Sequence, residues 1–102
     1  MERITDPALL SRVWSARYES LARAFAEIIG HDATEVVELG CCRGQLTIPL
    51  AKLIPSSRIV AVDGFKGPYR GWKQRFKTAL EHAGLQDRVK IVAADCWRWF
   101  KN

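Results

Sequence analysis

The chain of 102 residues fits one domain, long enough for a core and short for an architecture that needs five or more strands. Hydrophobic residues make up 48% and charged residues 26% with no low-complexity tract, which excludes a disordered or fibrous protein, and no apolar run approaches the ~20 residues of a membrane span. The net charge of +5, from 16 Lys and Arg against 11 Asp and Glu, favours polyanionic partners without requiring them.

Glu2, Arg3 and Asp6 are not followed by an apolar segment and a small-residue cleavage site, so no signal peptide is read and a cytoplasmic protein is expected. Asp6-Pro7 reads as a helix start, an aspartate cap with proline in the first turn. From Ala8 to Ile29 apolar residues recur at helical spacing (Leu10, Val13, Trp14, Tyr18, Leu21, Phe25, Ile28), of which Trp14 and Tyr18 read as core, and Gly30 stops the helix. Val36 to Leu39 is a short apolar strand, Gln45 to Leu53 a helix ended near Pro55, and Arg58 to Val62 a second strand. Tyr69 to Ala83 carries an amphipathic pattern (Trp72, Phe76, Ala79, Leu80, Ala83) closed by Gly84, and Val89 to Ala94 is a third strand before "DCWRWFKN". No internal repeat or linker is visible.

This order predicts an α/β fold with a parallel sheet and right-handed crossovers. If the three strands are laid down in one direction, both crossover helices fall on one face and the other face is bare. Yet "VVEL", "IVAV" and "KIVAA" are apolar almost continuously, as strands are when both faces are covered. An uncovered face of roughly a few hundred Å² is expected to be closed by the N-terminal helix, by "CWRWF", by a second copy of the chain, or by the rest of a longer fold.

The chemistry concentrates at the carboxyl ends of the strands, where open α/β sheets bind ligands. Gly40 and Gly44 occupy the turn after the first strand, where a sharp reversal needs φ > 0 and a ligand must approach bare backbone. Glu38 ends that strand, Asp63 the second and Asp95 the third. An acid roughly 20 residues past such a glycine turn typically accepts hydrogen bonds from ribose hydroxyls. The alternative for each is an ordinary tight turn or a capping aspartate. A dinucleotide loop fits less well, because G-x-G-x-x-G would want glycine where Cys42 and Gln45 stand.

"VVELGCCRG" followed by "IVAVDGF" and "IVAADCW", in that order, resembles the first three motifs of the class I, Rossmann-like S-adenosylmethionine-dependent methyltransferases. The first motif is matched at Glu38, Gly40 and Gly44, with Cys42 in place of the middle glycine. The resemblance implies that the backbone of Gly40, Cys41, Cys42 and Gly44 cradles the methionine moiety with help from Glu38. It implies further that Asp63 binds the ribose with Gly64 and Phe65 beside the adenosine, and that Asp95 and the Cys96 N–H meet the adenine. It also implies a Rossmann-like sheet of which this chain holds the first three strands in the order 3-2-1 with an N-terminal helix. The chain is thus expected to be a single partial domain, 1–102, completed by a homodimer partner or a second chain. The acceptor-binding strands of the family would lie beyond Asn102, so neither the acceptor nor a catalytic base can be assigned.

Three cysteines cannot all pair internally, and a disulfide between the adjacent Cys41 and Cys42 would be strained, so reduced thiols are expected. A thiolate metal site of Cys41, Cys42 and Cys96 with His31 or His82 lacks the spacing of a C-x-x-C knuckle, and a small buried cysteine in place of glycine is the preferred reading. Because its Cβ restricts φ > 0, Cys42 must take an ordinary φ or accept strain, and it is expected to narrow the methionine pocket. "FKGPYRGWKQRFK" interleaves cations with aromatics as nucleic-acid surfaces do, but reads first as a helix with an aromatic core face and a solvated basic face. Two further readings remain, a self-associating Rossmann-like interaction module and a small basic nucleic-acid-binding domain.

Overall fold

A computed structural model describes residues 6–101; Glu2, Arg3, Asn102 and the side chains of Leu10 and Trp14, used above, lie outside the described part. Helix α1 (Pro7–Ile29) starts as the sequence predicts: the Asp6 carboxylate accepts the Ala8 N–H and Pro7 takes the position that needs no donor. Gly30, at φ 105, ends it. Strand β1 (Glu35–Leu39), helix α2 (Thr47–Leu53), strand β2 (Arg58–Asp63), helix α3 (Trp72–Ala83), strand β3 (Val89–Ala93) and the short helix α4 (Cys96–Lys101) follow, with a 3₁₀ turn over Gly67–Tyr69. Helix α2 starts later than predicted because the glycine turn continues through Leu46; Pro49 is still accommodated in its first turn, where no amide bond is needed.

The sheet is parallel with order β1-β2-β3, the same ladder as the predicted 3-2-1, and Val37 faces Val60 while Leu39 faces Val62. This register sorts the side chains into two faces. Val36, Ile59, Ala61 and Val89 point to the helical face and join Leu50, Ala51, Ile54, Phe76 and Leu80 in one core cluster. The opposite face carries Glu35 and Arg58 at the start of the strands, then Val37, Val60 and Lys90 level with one another, and Leu39, Val62 and Val92 toward the ends. Val37 and Leu39 are 52% and 46% exposed, so the bare face expected from topology is present along β1. Val37 and Leu39 stay open although Val62 beside them is fully buried; α1 packs on α2, and Trp97 and Phe100 of α4 stack on each other in the open.

Helix α1 turns its small residues inward. Ala22 and Ala26 are fully buried, whereas Leu21, Phe25 and Ile28 are exposed, Ile28 by 80%. Val13 is exposed with them while Tyr18 is half-buried, and the alanine stripe lets α1 come close to α2. Arg88, unremarked in the sequence, braces the other end of α2. Its guanidinium donates to the carbonyls of Ala51 (2.8 Å), Ile54 (2.8 Å) and Ser57 (3.1 Å), meeting acceptors that a helix C-terminus leaves open.

Candidate functional site

The site is assembled at the last two residues of β2. The Val62 carbonyl accepts the N–H of Gly40 (2.7 Å), the N–H of Cys41 (3.3 Å) and the Cys96 thiol (3.4 Å). The Asp63 carboxylate accepts the Cys42 N–H on Oδ2 and the Phe65 N–H on Oδ1, each at 2.9 Å, while its carbonyl accepts the Ala94 N–H at 3.0 Å. The loops after β1 and β2 and the end of β3 therefore hang from one dipeptide. Asp63 holds the glycine loop as well as standing at the carboxyl edge of the sheet, and a carboxylate with two bonds made still has acceptor sites for two more.

Within that loop Gly40, Cys42 and Gly44 have φ of 80, 53 and 85°, three left-handed residues in a single reversal. The two glycines serve different ends. A Cβ on Gly40 would meet nothing within 4 Å, so the space above that backbone is open; a Cβ on Gly44 would lie 2.5 Å from Cε1 of the buried Phe76. Gly44 thus lets the loop settle on α3, and Gly40 leaves bare backbone at the sheet edge. Cys42 takes the strained alternative left open by the sequence, with its thiol against the Gly40 carbonyl at 3.7 Å. Gly64 has no left-handed φ, whereas its neighbour Phe65 does, at 48°, and the Phe65 ring is buried in the core.

Glu38 points from β1 into the helical face, where the fully buried Thr47 hydroxyl donates to its Oε2. Burial pushes its carboxyl above the ordinary value, with the Asp63 charge adding to the shift and the Thr47 bond opposing it. Burial likewise pushes the Cys41 thiol up to about 12 and raises Cys42, so both are neutral thiols near pH 7. Asp95 accepts the Arg98 N–H at 3.0 Å, and this bond holds its carboxyl below the usual range; it caps α4. The histidines lie elsewhere. His31 sits before β1, its ring against Glu27 (3.1 Å) and the Leu53 carbonyl (3.3 Å), and His82 is exposed in the last turn of α3. Among the described residues no three His, Cys, Asp or Glu side chains gather as a metal-binding group. Nor is any described helix long and apolar enough to cross a membrane.

The predicted residues Glu38, Gly40, Cys41, Cys42, Gly44, Asp63, Asp95 and Cys96 are thus brought to one edge of the sheet. Thr47 was missed. Its only sequence signal is a position at the start of the helix that follows the loop, where a hydroxyl folds back under the strand end.

No protein-family model matches the chain. Solved structures do. The chain superposes with a TM-score of 0.69 on a candidate S-adenosyl-L-methionine-dependent methyltransferase of Methanococcus maripaludis, 23% identical, over 93% of this chain and 46% of that one. The fold is that of the class I methyltransferases. A coclaurine N-methyltransferase solved with N-methylheliamine and SAH gives a TM-score of 0.64 at 23% identity, over 76% of this chain and 21% of the enzyme. The O-methyltransferase TomG of Streptomyces achromogenes, solved with SAM, gives 0.58 at 21% identity, over 86% of this chain and 43% of the enzyme. Among curated proteins, a tRNA (guanine-N(7)-)-methyltransferase of Bacteroides thetaiotaomicron is 26% identical over 103 aligned positions, covering 90% of this chain. The chain spans 40% of that relative's length.

Proposed function

We propose that the chain is the cofactor-binding part of an S-adenosylmethionine-dependent methyltransferase. The observation that carries this reading is the glycine loop, held by Asp63 with Gly40 unobstructed at the carboxyl edge of a methyltransferase-type sheet. Its residues fit the cofactor. Bare backbone from Gly40 to Gly44 accommodates the methionine moiety, with Glu38 beneath it; the free acceptor sites of Asp63 suit the ribose hydroxyls, with Gly64 and Phe65 alongside. Asp95 and the Cys96 N–H stand where the adenine would lie. When bound, S-adenosylmethionine supplies an electrophilic methyl carbon on a sulfonium. The part played by the chain is alignment, since direct displacement depends on distance and orientation, and no described residue is assigned as a base for the acceptor.

Calorimetric titration with S-adenosylhomocysteine tests the proposal. Saturable binding at one site, lost in Asp63→Ala, is expected; no heat at millimolar ligand with the chain folded by circular dichroism would refute it. Part of the same proposal is that the exposed Val37 and Leu39 face is covered in the working protein by a second copy or a second chain. Light scattering at micromolar concentration should show a species larger than the monomer, and a monomer would exclude the homodimer.

A further inference from the structure

A cleft of about 860 Å³ opens on the helical side of the molecule, lined by Tyr18, Arg43, Pro49, Lys52, Trp72 and Arg75. Its cations come from three elements: Arg43 from the glycine loop, Lys52 from the last turn of α2, and Arg75 from the first turn of α3. None of the three has a carboxylate partner among the described residues. The acid in the lining, Glu19, is turned toward Arg23 at 3.9 Å. The cleft therefore carries uncompensated positive charge on a concave wall, where charges of one sign focus field and concentrate anions more than on a convex face.

Aromatic rings lie beside these cations. The Arg43 guanidinium stacks over the Trp72 ring at 4.9 Å from the centroid, and Tyr69 packs against Trp72 at 4.5 Å. Stacking fixes the guanidinium plane while leaving its N–H edge available for two-point contact with a phosphate. Helix α3 begins beside it at Gly71 without a side-chain cap, so its first amides are also available to an anion. With Arg43 over Trp72, the ring surface left to a base is that of Tyr69, 50% exposed; cations beside such a ring are the arrangement that holds a single-stranded polynucleotide, the backbone on the cations and a base on the ring.

We infer that this cleft, formed by Arg43, Lys52, Arg75 and Trp72, binds the phosphodiester backbone of a single-stranded nucleic acid. The cleft shares Cys42 and Gly44 with the glycine loop, but the inference rests on its cations and is tested without cofactor, so its failure is distinguishable from failure of the cofactor proposal. It gives the "GWKQRFK" segment a role beyond that of a solvated face.

The test uses the full chain and fluorescence anisotropy with labelled single strands of about 12 nucleotides, as RNA and as DNA of one sequence, from about 50 to 200 mM salt. Tighter binding of either strand than of the duplex is expected. Replacing Arg43, Lys52 and Arg75 together by Ala should weaken it by about tenfold or more and reduce the salt slope by about 2, the value for three single-strand phosphate contacts. Replacing Arg58, Lys90 and Lys101, exposed cations elsewhere, should change affinity by less than about threefold. Equal losses in the two triple variants, duplex binding as tight as single-strand binding, equally ready displacement by polyglutamate, or no binding at low salt would each overturn the inference. Should the first triple variant fail to fold, Arg43→Lys with Arg75→Lys keeps the charge and removes the planar fork, and unchanged affinity in that pair would overturn the clamp.

Discussion

Gly44→Ala isolates what the second glycine does. The new methyl would lie 2.5 and 2.6 Å from Cε1 and Cδ1 of Phe76 at a φ of +85°, about 1 Å inside normal carbon contact. The ring cannot recede, because Phe76 is fully buried in the core. Overpacking of this kind costs about 1–3 kcal/mol. The left-handed backbone adds about 1–2 kcal/mol for alanine, and reduced freedom of the unfolded chain offsets about 0.4–1 kcal/mol. A net loss of about 3 kcal/mol follows, which lowers Tm by roughly 10–20 °C in a domain of this size. Urea denaturation followed by circular dichroism, repeated in a Phe76→Val background that lacks the offending ring atoms, separates the two causes. There the alanine should cost only about 1 kcal/mol, a coupling of about 2 kcal/mol. Equal costs in both backgrounds would refute the claim that Gly44 exists to admit Phe76.

Cys42→Gly removes a left-handed side chain and should stabilise the fold by up to about 1 kcal/mol, the relieved strain being partly cancelled by glycine's unfolded-state entropy; it should also tighten S-adenosylhomocysteine binding in calorimetry. Burial makes Glu38 hold its proton more tightly in the folded chain than an ordinary glutamate does, so native stability is fully supported below the ordinary glutamate range and declines as pH rises through the raised value. Glu38→Gln should therefore be more stable than the parent near pH 7 and flatten that decline in urea titrations at several pH values, while weakening cofactor binding. Arg88→Met should lower stability by about 3 kcal/mol in the same assay, because the carbonyls of Ala51, Ile54 and Ser57 lose a charged donor; Arg88→Lys should recover only part of it.

The strands, the glycine turns and the caps of α1 were legible because each depends on a few adjacent residues. Asp6-Pro7 and Gly30 act within one turn of chain, and the apolar strand runs are bounded by turn residues on both sides. The orientation of α1 was not, because Leu21 and Phe25 lie on one helical stripe and Ala22 and Ala26 on the next. Size alone favours the first, whereas contact with α2 selects the second. In the site, Glu38, Asp63 and Asp95 could be found by their position at strand ends, but sequence could not show that Asp63 spends two of its bonds on the loop itself. Arg88 escaped notice for the same reason: its acceptors, in α2 and the turn after it, lie more than 30 residues earlier in the chain.

Hanging all three loops from Val62 and Asp63 makes the site a reporter of strand alignment. A one-residue slip of β2 would turn the Asp63 side chain to the other face and move the Val62 carbonyl out of reach of the β1 loop. Ligand competence and correct register would then be lost together. A ligand that binds only the aligned sheet would in turn draw the population toward that alignment by mass action. For a three-stranded sheet with an uncovered face, occupancy of the loop would thus select among strand pairings during folding as well as serve the folded molecule.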